Sequence, residues 1–171
     1  MQSVTKLVGI FGLMLGGWLA VPLAAADDTA TRLDALEARE AIRTLMHEYG
    51  RTLDRRDFAA FGALFATSGT YTSGGRTETG PAAIGAMLQA QFAANPAGIK
   101  DPNFHVFFNE IIEVHGETAS AWSQSAYVVP ADDATPRMLF YATYDDEYVK
   151  ENGQWKFRQR IVKGDMPRRA R

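Results

Sequence analysis

The sequence predicts an α+β domain, a cone-shaped α+β barrel in which three N-terminal helices pack in a curved, mostly antiparallel sheet. Two observations support this fold. Apolar residues recur at helical spacing up to residue 94, and from residue 103 onward runs of aromatic and β-branched residues are separated by turn residues. An antiparallel sheet of this kind must bury one face, and the helices are the elements available to cover it. A sheet curved around the first helix would leave an open mouth at one end.

The first 26 residues have the pattern of a secretory signal peptide. Lys6 supplies positive charge, an apolar run follows from residue 7 to residue 23, and three alanines before Asp27 provide the small residues of a cleavage site. The apolar run is short for a membrane span, so cleavage is favoured over a retained anchor, which is the alternative. We therefore expect a periplasmic or secreted domain from residue 27 to 165 and a basic tail from 166 to 171, with no membrane association after cleavage.

The composition excludes several classes of function. The chain has 171 residues and no cysteine, which rules out disulfides, thiol catalysis and zinc sites built from cysteine. Its formal net charge of −2 gives no electrostatic footprint for nucleic acid. No metal-ligand spacing, nucleophile elbow, phosphate loop or dinucleotide fingerprint is present, so we expect neither a metal nor a cofactor.

The first helix is predicted from residue 33 to residue 53, with Thr31 as its cap. Its apolar stripe consists of Ile42, Leu45, Met46, Tyr49 and Leu53, which recur at steps of three or four. Tyr49 places a hydroxyl on that stripe, and Asp54 follows where the pattern ends. This combination suggests the wall of a pocket. The alternative is structural, because buried tyrosines are common and aspartate at a helix end usually serves the turn.

The next elements are shorter. Asp57 is expected to cap a second helix over residues 58–65. A strand over residues 67–75 with Tyr71 at its middle is followed by a short partner strand over 76–79. The Gly80-Pro81 pair predicts the start of a third helix, because proline is tolerated in the first turn, and its apolar spacing continues to residue 94.

The second half of the chain predicts a meander of four strands. They cover residues 104–114, 118–129, 137–150 and 155–163, and Asn152-Gly153 is a strong hairpin turn between the last two. The acidic run Asp145-Asp146-Glu147 lies within the third of these strands. We interpret it as an exposed face with one inward carboxylate rather than a calcium site.

Of the three histidines, His105 is the candidate for chemistry. His47 and His115 are expected at the surface, whereas strand alternation places His105 on one face with Phe107, Asn109 and Ile111. A buried imidazole must find a hydrogen-bond partner, and Asp54 would be a suitable one. Such a pair fixes the histidine tautomer and provides a base that works near neutral pH. The alternative is a structural core histidine whose hydrogen bonds are satisfied.

Several motifs, in this order, resemble a known family. They are EAIRTLMHEYGRTLDRRDFAAFGALFATSGTY, the Gly80-Pro81 helix start, FHVFFNEIIEVHGETASAWS and the hairpin YVKENGQWKF. Over residues 33–164 the chain resembles the SnoaL-like branch of the nuclear transport factor 2-like superfamily. Within that superfamily it is similar to scytalone dehydratase, the bile-acid dehydratases and lindane dehydrochlorinase.

The resemblance implies roles for particular residues. In the last two enzyme types, an aspartate at the end of the first helix pairs with a histidine that takes a proton, and these positions match Asp54 and His105. The pocket tyrosines of the dehydratases match Tyr49 and Tyr71. The chain also departs from the pattern, because Gly50 stands where scytalone dehydratase has an acid. A second polar catalytic residue would fall near Ser123.

These observations predict a cofactor-independent lyase or isomerase that acts on a small, largely apolar substrate. His105 would remove a C–H proton, Asp54 would orient it, and Tyr49 and Tyr71 would polarise a hydroxyl or carbonyl group. The candidates for substrate binding are Phe107, Asn109, Trp122, Ser123, Phe140 and Tyr144. The alternative is a non-catalytic module that binds a hydrophobic ligand or a protein partner. By resemblance, a homodimer or homotrimer is expected.

Overall fold

The computed structural model describes residues 23–95, 99 and 101–164. The basic tail over residues 166–171 and the first 22 residues of the predicted signal peptide lie outside the described residues. Among the described helices, none combines the length and the apolar character that crossing a membrane requires.

Three helices form the first layer: α1 (Leu23–Asp54), α2 (Phe58–Gly62) and α3 (Pro81–Ala94). The predicted start of α1 near residue 33 is wrong, and Thr31 lies inside the helix rather than capping it. The preceding segment is rich in alanine and contains neither glycine nor proline, so nothing in it stops the helix. The Asp57 cap is confirmed, because its carboxylate accepts a hydrogen bond from the Ala60 backbone N–H at 3.0 Å. Helix α2 is shorter than predicted, since Phe65 already belongs to the sheet.

Six strands form one sheet: β1 (Phe65–Ser73), β2 (Arg76–Thr79), β3 (Phe104–His115), β4 (Thr118–Pro130), β5 (Pro136–Glu151) and β6 (Gln154–Gly164). Their spatial order is β2-β1-β6-β5-β4-β3, and every neighbouring pair is antiparallel except β1 with β6. The predicted α+β class, the order of helices before meander and the mostly antiparallel pairing are confirmed. The sheet is not closed into a barrel, because β2 and β3 are edge strands; it is an open, cone-like sheet.

The core lies between the concave face of the sheet and the apolar stripe of α1. Ile42, Met46 and Tyr49 are almost fully buried there, and the Tyr49 ring packs against Phe61 and Phe157 at centroid distances of 5.0 and 6.1 Å. The stripe ends before the N-terminal part of α1, where the side chains of Leu33 and Leu36 are exposed. The buried contacts therefore hold the C-terminal half of α1 in the cone.

A β-bulge in β3 changes which residues face the core. The register between β3 and β4 shifts between Phe108 and Ile111, and Asn109 has a positive φ of 57°. The extra residue reverses the alternation, so Ile111 is 62% exposed whereas Ile112 packs against the core. The predicted placement of Asn109 and Ile111 on the face of His105 is therefore wrong. Asn109 lies on the outer face, where its amide donates to Gln124 Oε1 at 2.7 Å.

Candidate active site

A cavity of about 340 Å³ opens between α1, α3 and the concave face of the sheet. This volume is within the range of small-molecule sites. Aromatic rings form much of its wall, namely those of Tyr49, Tyr71, Phe92, Tyr127, Phe140 and Tyr144. Its polar groups include His105, Ser125 and Gln91, and no Asp, Glu, Lys or Arg is among its described lining residues. The cavity is thus suited to a largely apolar, uncharged guest.

Asp54 and His105 form a closely coupled pair at the wall of this cavity. Asp54 is the last residue of α1 and His105 is the second residue of β3. The His105 Nδ1 atom lies 2.7 Å from Asp54 Oδ1, and the His105 backbone N–H donates to Asp54 Oδ2 at 3.0 Å. Because an ionised carboxylate only accepts hydrogen bonds, Nδ1 carries the ring proton and Nε2 of the neutral ring has the lone pair. This is the tautomer that a general base requires.

The pair separates the cavity from an outer groove. Asp54 lines the groove, together with His47, Arg51 and Arg55, but it does not line the cavity. His105 lines both. The imidazole therefore bridges a carboxylate on the solvent side and the aromatic interior. It keeps only 9% of its side-chain surface exposed.

Gly50 allows β3 to lie close to α1 at this point. A Cβ atom on Gly50 would lie 2.9 Å from Phe107 Cε2, which is closer than Cβ atoms come to other atoms in proteins, and 3.2 Å from His105 Cβ, which is a tight contact. By resemblance, Gly50 occupies a position at which scytalone dehydratase has an acidic residue. The structure gives it a packing role, because only glycine lets the strand that carries His105 approach the helix that carries Asp54.

We predict that Gly50→Ala destabilises the protein by about 1 kcal/mol, since an overpacking cost of about 1–3 kcal/mol exceeds the helix propensity that alanine gains. Urea unfolding of Gly50→Ala, Phe107→Leu and the double variant measures the effect. Leucine lacks the ring atom that clashes, so the double variant should lose less than the sum of the two single changes. Additive losses would show that the contact with Phe107 is not what excludes alanine.

Two hydroxyl pairs line the cavity near the histidine. The Tyr49 and Tyr71 hydroxyls are 3.2 Å apart, and the Ser125 and Tyr144 hydroxyls are 2.9 Å apart. Burial raises the pKa of Tyr49 well above its usual value, raises that of Tyr71, and raises the pKa of Tyr144 to about 12. These phenols are therefore neutral hydrogen-bond donors over the physiological pH range.

The same shifts predict an alkaline limit of stability. A phenol whose pKa is raised in the folded state contributes stability that is complete below its unfolded pKa of about 10 and is lost above it. We expect tyrosinate absorbance and loss of circular dichroism to appear together as the pH rises from about 10 to 12. Ionisation of most tyrosines near pH 10 in a still folded protein would contradict this prediction.

A buried ion pair between Arg160 and Asp146 packs against the rings of two of these tyrosines. Arg160 donates through Nε and Nη2 to the two carboxylate oxygens of Asp146 at 2.8 and 2.6 Å, and both side chains are fully buried. The guanidinium lies 4.1 Å from the ring centroid of Tyr49 and 4.4 Å from that of Tyr144. Burial by itself lowers the pKa of Arg160, but the charge of Asp146 outweighs it and raises that pKa above its usual value. The inward carboxylate predicted for the acidic run is Asp146.

The structure brings together only part of the predicted site. Tyr49, Tyr71, His105, Phe140 and Tyr144 line the cavity, and Asp54 is hydrogen-bonded to His105 from outside it. Phe107 packs beside the site, with its ring centroid 5.6 Å from that of Tyr144, but it does not line the cavity.

Trp122 and Ser123 lie away from the cavity. Neighbouring residues of a strand point to opposite faces, so the two could not both face inward. Trp122 is 36% exposed on the outer face, where it lies opposite Ile111 of β3. Ser123 points inward but does not line the cavity. It is fully buried, and its hydroxyl has no hydrogen-bond partner among the described residues.

Sequence reasoning missed Ser125, Tyr127 and Arg160. Ser125 and Tyr127 face inward on β4 by the same alternation as Ser123, which could have identified them. The Tyr127 ring lies 4.5 Å from that of His105, and its hydroxyl donates to Asn103. Arg160 is inward because the register of β6 shifts at Arg158, and no feature of the sequence indicates that shift.

Comparisons with known proteins agree with this fold. The sequence model of the SnoaL-like domain matches residues 34–161. An NTF2-like protein with a cystatin-like fold from Novosphingobium aromaticivorans shares 27% identity with a TM-score of 0.70, and the match covers 80% of this chain and 87% of that one. A protein of unknown function from Mycobacterium tuberculosis shares 21% identity with a TM-score of 0.67, covering 76% and 77%.

A further structure from Novosphingobium aromaticivorans carries the provisional name scytalone dehydratase. It shares 24% identity with a TM-score of 0.63, covers 77% of this chain and 86% of its own, and at that identity supports the common fold alone. Among curated proteins, none matches the sequence. The family match spans most of the chain, and the helices and open sheet have the arrangement of the NTF2-like structures. The chain therefore belongs to the SnoaL-like domain family of the NTF2-like superfamily.

Proposed function

We propose that the protein is a cofactor-independent lyase or isomerase that removes a proton from a small, largely apolar substrate. One observation carries this proposal: the imidazole of His105 is hydrogen-bonded to Asp54 at 2.7 Å on one side and lines an aromatic cavity on the other. A histidine held in one tautomer by a carboxylate, with its second nitrogen available to a guest, has the geometry of a general base.

In the reaction we propose, His105 Nε2 takes a proton from a carbon next to a carbonyl group. Asp54 stabilises the imidazolium that forms, and the Tyr49–Tyr71 pair donates a hydrogen bond to the oxygen on which negative charge develops. In an elimination, the C–O bond of a β-hydroxyl group then breaks, the imidazolium proton leaves with that oxygen as water, and a C=C bond forms. In an isomerisation, the same proton returns to another carbon.

The lining of the cavity supports an uncharged substrate. A charged guest would lose its hydration without a described side chain of opposite charge to compensate, which is costly in an apolar site. Flat ring systems suit a wall built from tyrosine and phenylalanine, since aromatic rings pack well in offset and edge-to-face arrangements.

The test uses a minimal eliminable substrate, 3-hydroxy-1-tetralone, which loses water to give 1-naphthol. We expect the purified full chain to produce 1-naphthol, followed by fluorescence, faster than buffer does. A parallel assay with 1-tetralone in deuterium oxide detects exchange of the α-protons by NMR, which requires the base but no leaving group.

Absence of both reactions would overturn the proposal of catalysis. If the tetralones bind and are recovered unchanged, without exchange, the domain is a binding module. Exchange without elimination would support the base and favour an isomerase.

We also propose that the protein is exported. Mass spectrometry of the periplasmic or secreted fraction should find a chain that begins at Asp27, a cut that would shorten α1 by its first four residues. An intact N-terminus in the membrane fraction would indicate a retained anchor. The dimer or trimer expected from the superfamily is tested on the same material by light scattering.

A further inference from the structure

Arg56, in the loop between α1 and α2, has an unusual backbone conformation. Its φ is 58°, in the left-handed region that glycine favours after a helix and that other residues seldom adopt. Its side chain is 29% exposed, and its guanidinium lies 4.2 Å from the ring centroid of Phe92 in α3. Such a conformation persists only where the surrounding structure fixes it, and it is frequent at functional sites. An arginine where glycine fits better therefore suggests a role for its side chain.

The Arg56 guanidinium joins the end of α1 to the start of β3. Its Nη1 donates to the Leu53 carbonyl oxygen at 2.8 Å and to Asn103 Oδ1 at 3.0 Å. Leu53 directly precedes Asp54, and Asn103 lies two residues before His105. The hydrogen bonds between Asp54 and His105 join the same two elements. Two neighbouring sets of contacts thus hold the helix end against the strand.

Asn103 extends this contact to the histidine ring. It is 6% exposed, and its Oδ1 also accepts a hydrogen bond from the Tyr127 hydroxyl. The Tyr127 ring in turn lies 4.5 Å from the imidazole of His105. Asp101 accepts from the Asn103 amide and, at 3.3 Å, from Arg56 Nη2. The ring that packs on the imidazole is therefore anchored, through one buried amide, to the same guanidinium.

We propose that Arg56 is a positioning residue for the pair of Asp54 and His105. It keeps the helix end and the strand start together, and it thereby holds the imidazole in the tautomer that proton removal requires. Arg56 is not among the described residues that line the cavity, so it acts through the pair and not on the guest. This inference rests on the proposed function for its effect on turnover, but the state of the pair can be measured without turnover.

The first test uses Arg56→Gly, which removes the side chain and supplies the residue that the backbone conformation favours. The variant should therefore fold, with a melting temperature within a few degrees of that of the unaltered protein. Nitrogen-15 NMR of the His105 ring at about pH 9, where imidazole is uncharged, shows which nitrogen carries the proton. We expect the fraction with the proton on Nε2 to rise about tenfold, because a hydrogen bond from a charged group is lost. Asn103→Ala removes the other end of the contact and should have the same effect.

The second test measures deuterium exchange of 1-tetralone. Arg56→Gly should lower kcat about tenfold and leave KM within about twofold, since the base is misplaced while the cavity is intact. In the Asp54→Asn background the same change should cause no further loss, because the pair that it positions is already broken. An arginine that only stabilises the fold would lower the rate in both backgrounds.

Arg55→Met is the matched control, because it removes a positive charge from the neighbouring, exposed position and should leave the tautomer and kcat unchanged. The inference is refuted if Arg56→Gly leaves the tautomer unchanged, or if Arg55→Met alters it as much, which would make the effect one of charge alone. A tautomer that responds to Arg56→Gly, in a protein that catalyses neither exchange nor elimination, would support the positioning role and reject the proposed function.

Discussion

Replacing His105 with alanine is expected to lower the rate of 1-naphthol formation by about 10²–10⁴-fold, the contribution of a positioned general base. The cavity and its tyrosines remain in this variant, so binding of 1-tetralone should change much less than turnover. The variant also leaves space beside Asp54 where the ring was. Added imidazole should therefore restore part of the activity, which a purely structural histidine would not allow.

Asp54→Asn should cause a loss of similar size by a different route. Asp54 accepts the ring N–H and the backbone N–H of His105 on two different oxygens, whereas asparagine has only one acceptor oxygen and an NH₂ group in place of the other. If the NH₂ group faces Nδ1, the imidazole is held in the wrong tautomer, with its proton on the nitrogen that should act as the base. In the pH–rate profile of this variant, the rise in rate that reports deprotonation of the general base, His105, should be absent.

Retained turnover in either variant would exclude the pair from catalysis. Loss of the melting transition in both variants would instead assign Asp54 and His105 a structural role. The Asp57→Asn variant is a matched control for Asp54→Asn, since Asp57 caps α2 on the exposed side of the same loop and should affect stability only slightly.

The second large effect is expected in the buried ion pair. Asp146→Ala should lower the free energy of unfolding by about 3–5 kcal/mol, because Arg160 would remain charged and buried without its partner. Tyr148 would lose a partner as well, since its hydroxyl donates to Asp146 at 2.9 Å. A loss of this size is a large fraction of the stability of a typical domain.

Replacing both charges should restore much of that loss. In the double variant Asp146→Leu/Arg160→Met, no charge is buried, and apolar side chains of similar volume fill the space. Urea unfolding of Asp146→Leu, Arg160→Met and the double variant, compared with the unaltered protein, forms a complete cycle. If the double variant is as unstable as the sum of the singles, the pair stabilises the fold through packing and not through mutual compensation of charge.

The pairing of Asp54 with His105 could be predicted from sequence because both residues lie at the ends of elements that have clear sequence signals. The apolar stripe of α1 stops at Leu53, so Asp54 marks the end of the helix. His105 lies at the start of β3, directly after the loop that precedes this strand. Neither assignment requires the alternation of inward and outward residues to be extrapolated along a strand, where a bulge would reverse it. The family resemblance added the expectation that these two ends meet.

What could not be predicted depends on irregularities of the sheet. The bulge at Asn109 and the register shift at Arg158 each insert one residue, and each reverses the alternation beyond it. Period-two reasoning therefore placed Asn109 inside and gave no indication that Arg160 is buried. The start of α1 was predicted wrongly for another reason, because its first turns lack the apolar stripe that indicates a helix in a sequence.

The hydrogen bond from the His105 backbone to Asp54 has a consequence for how the site can be observed. Because β3 is an edge strand, this amide would otherwise face solvent, and the carboxylate protects it. The exchange rate of that single amide hydrogen thus reports how often the helix end separates from the strand. An NMR measurement on the resting protein can follow the integrity of the pair before any substrate is known.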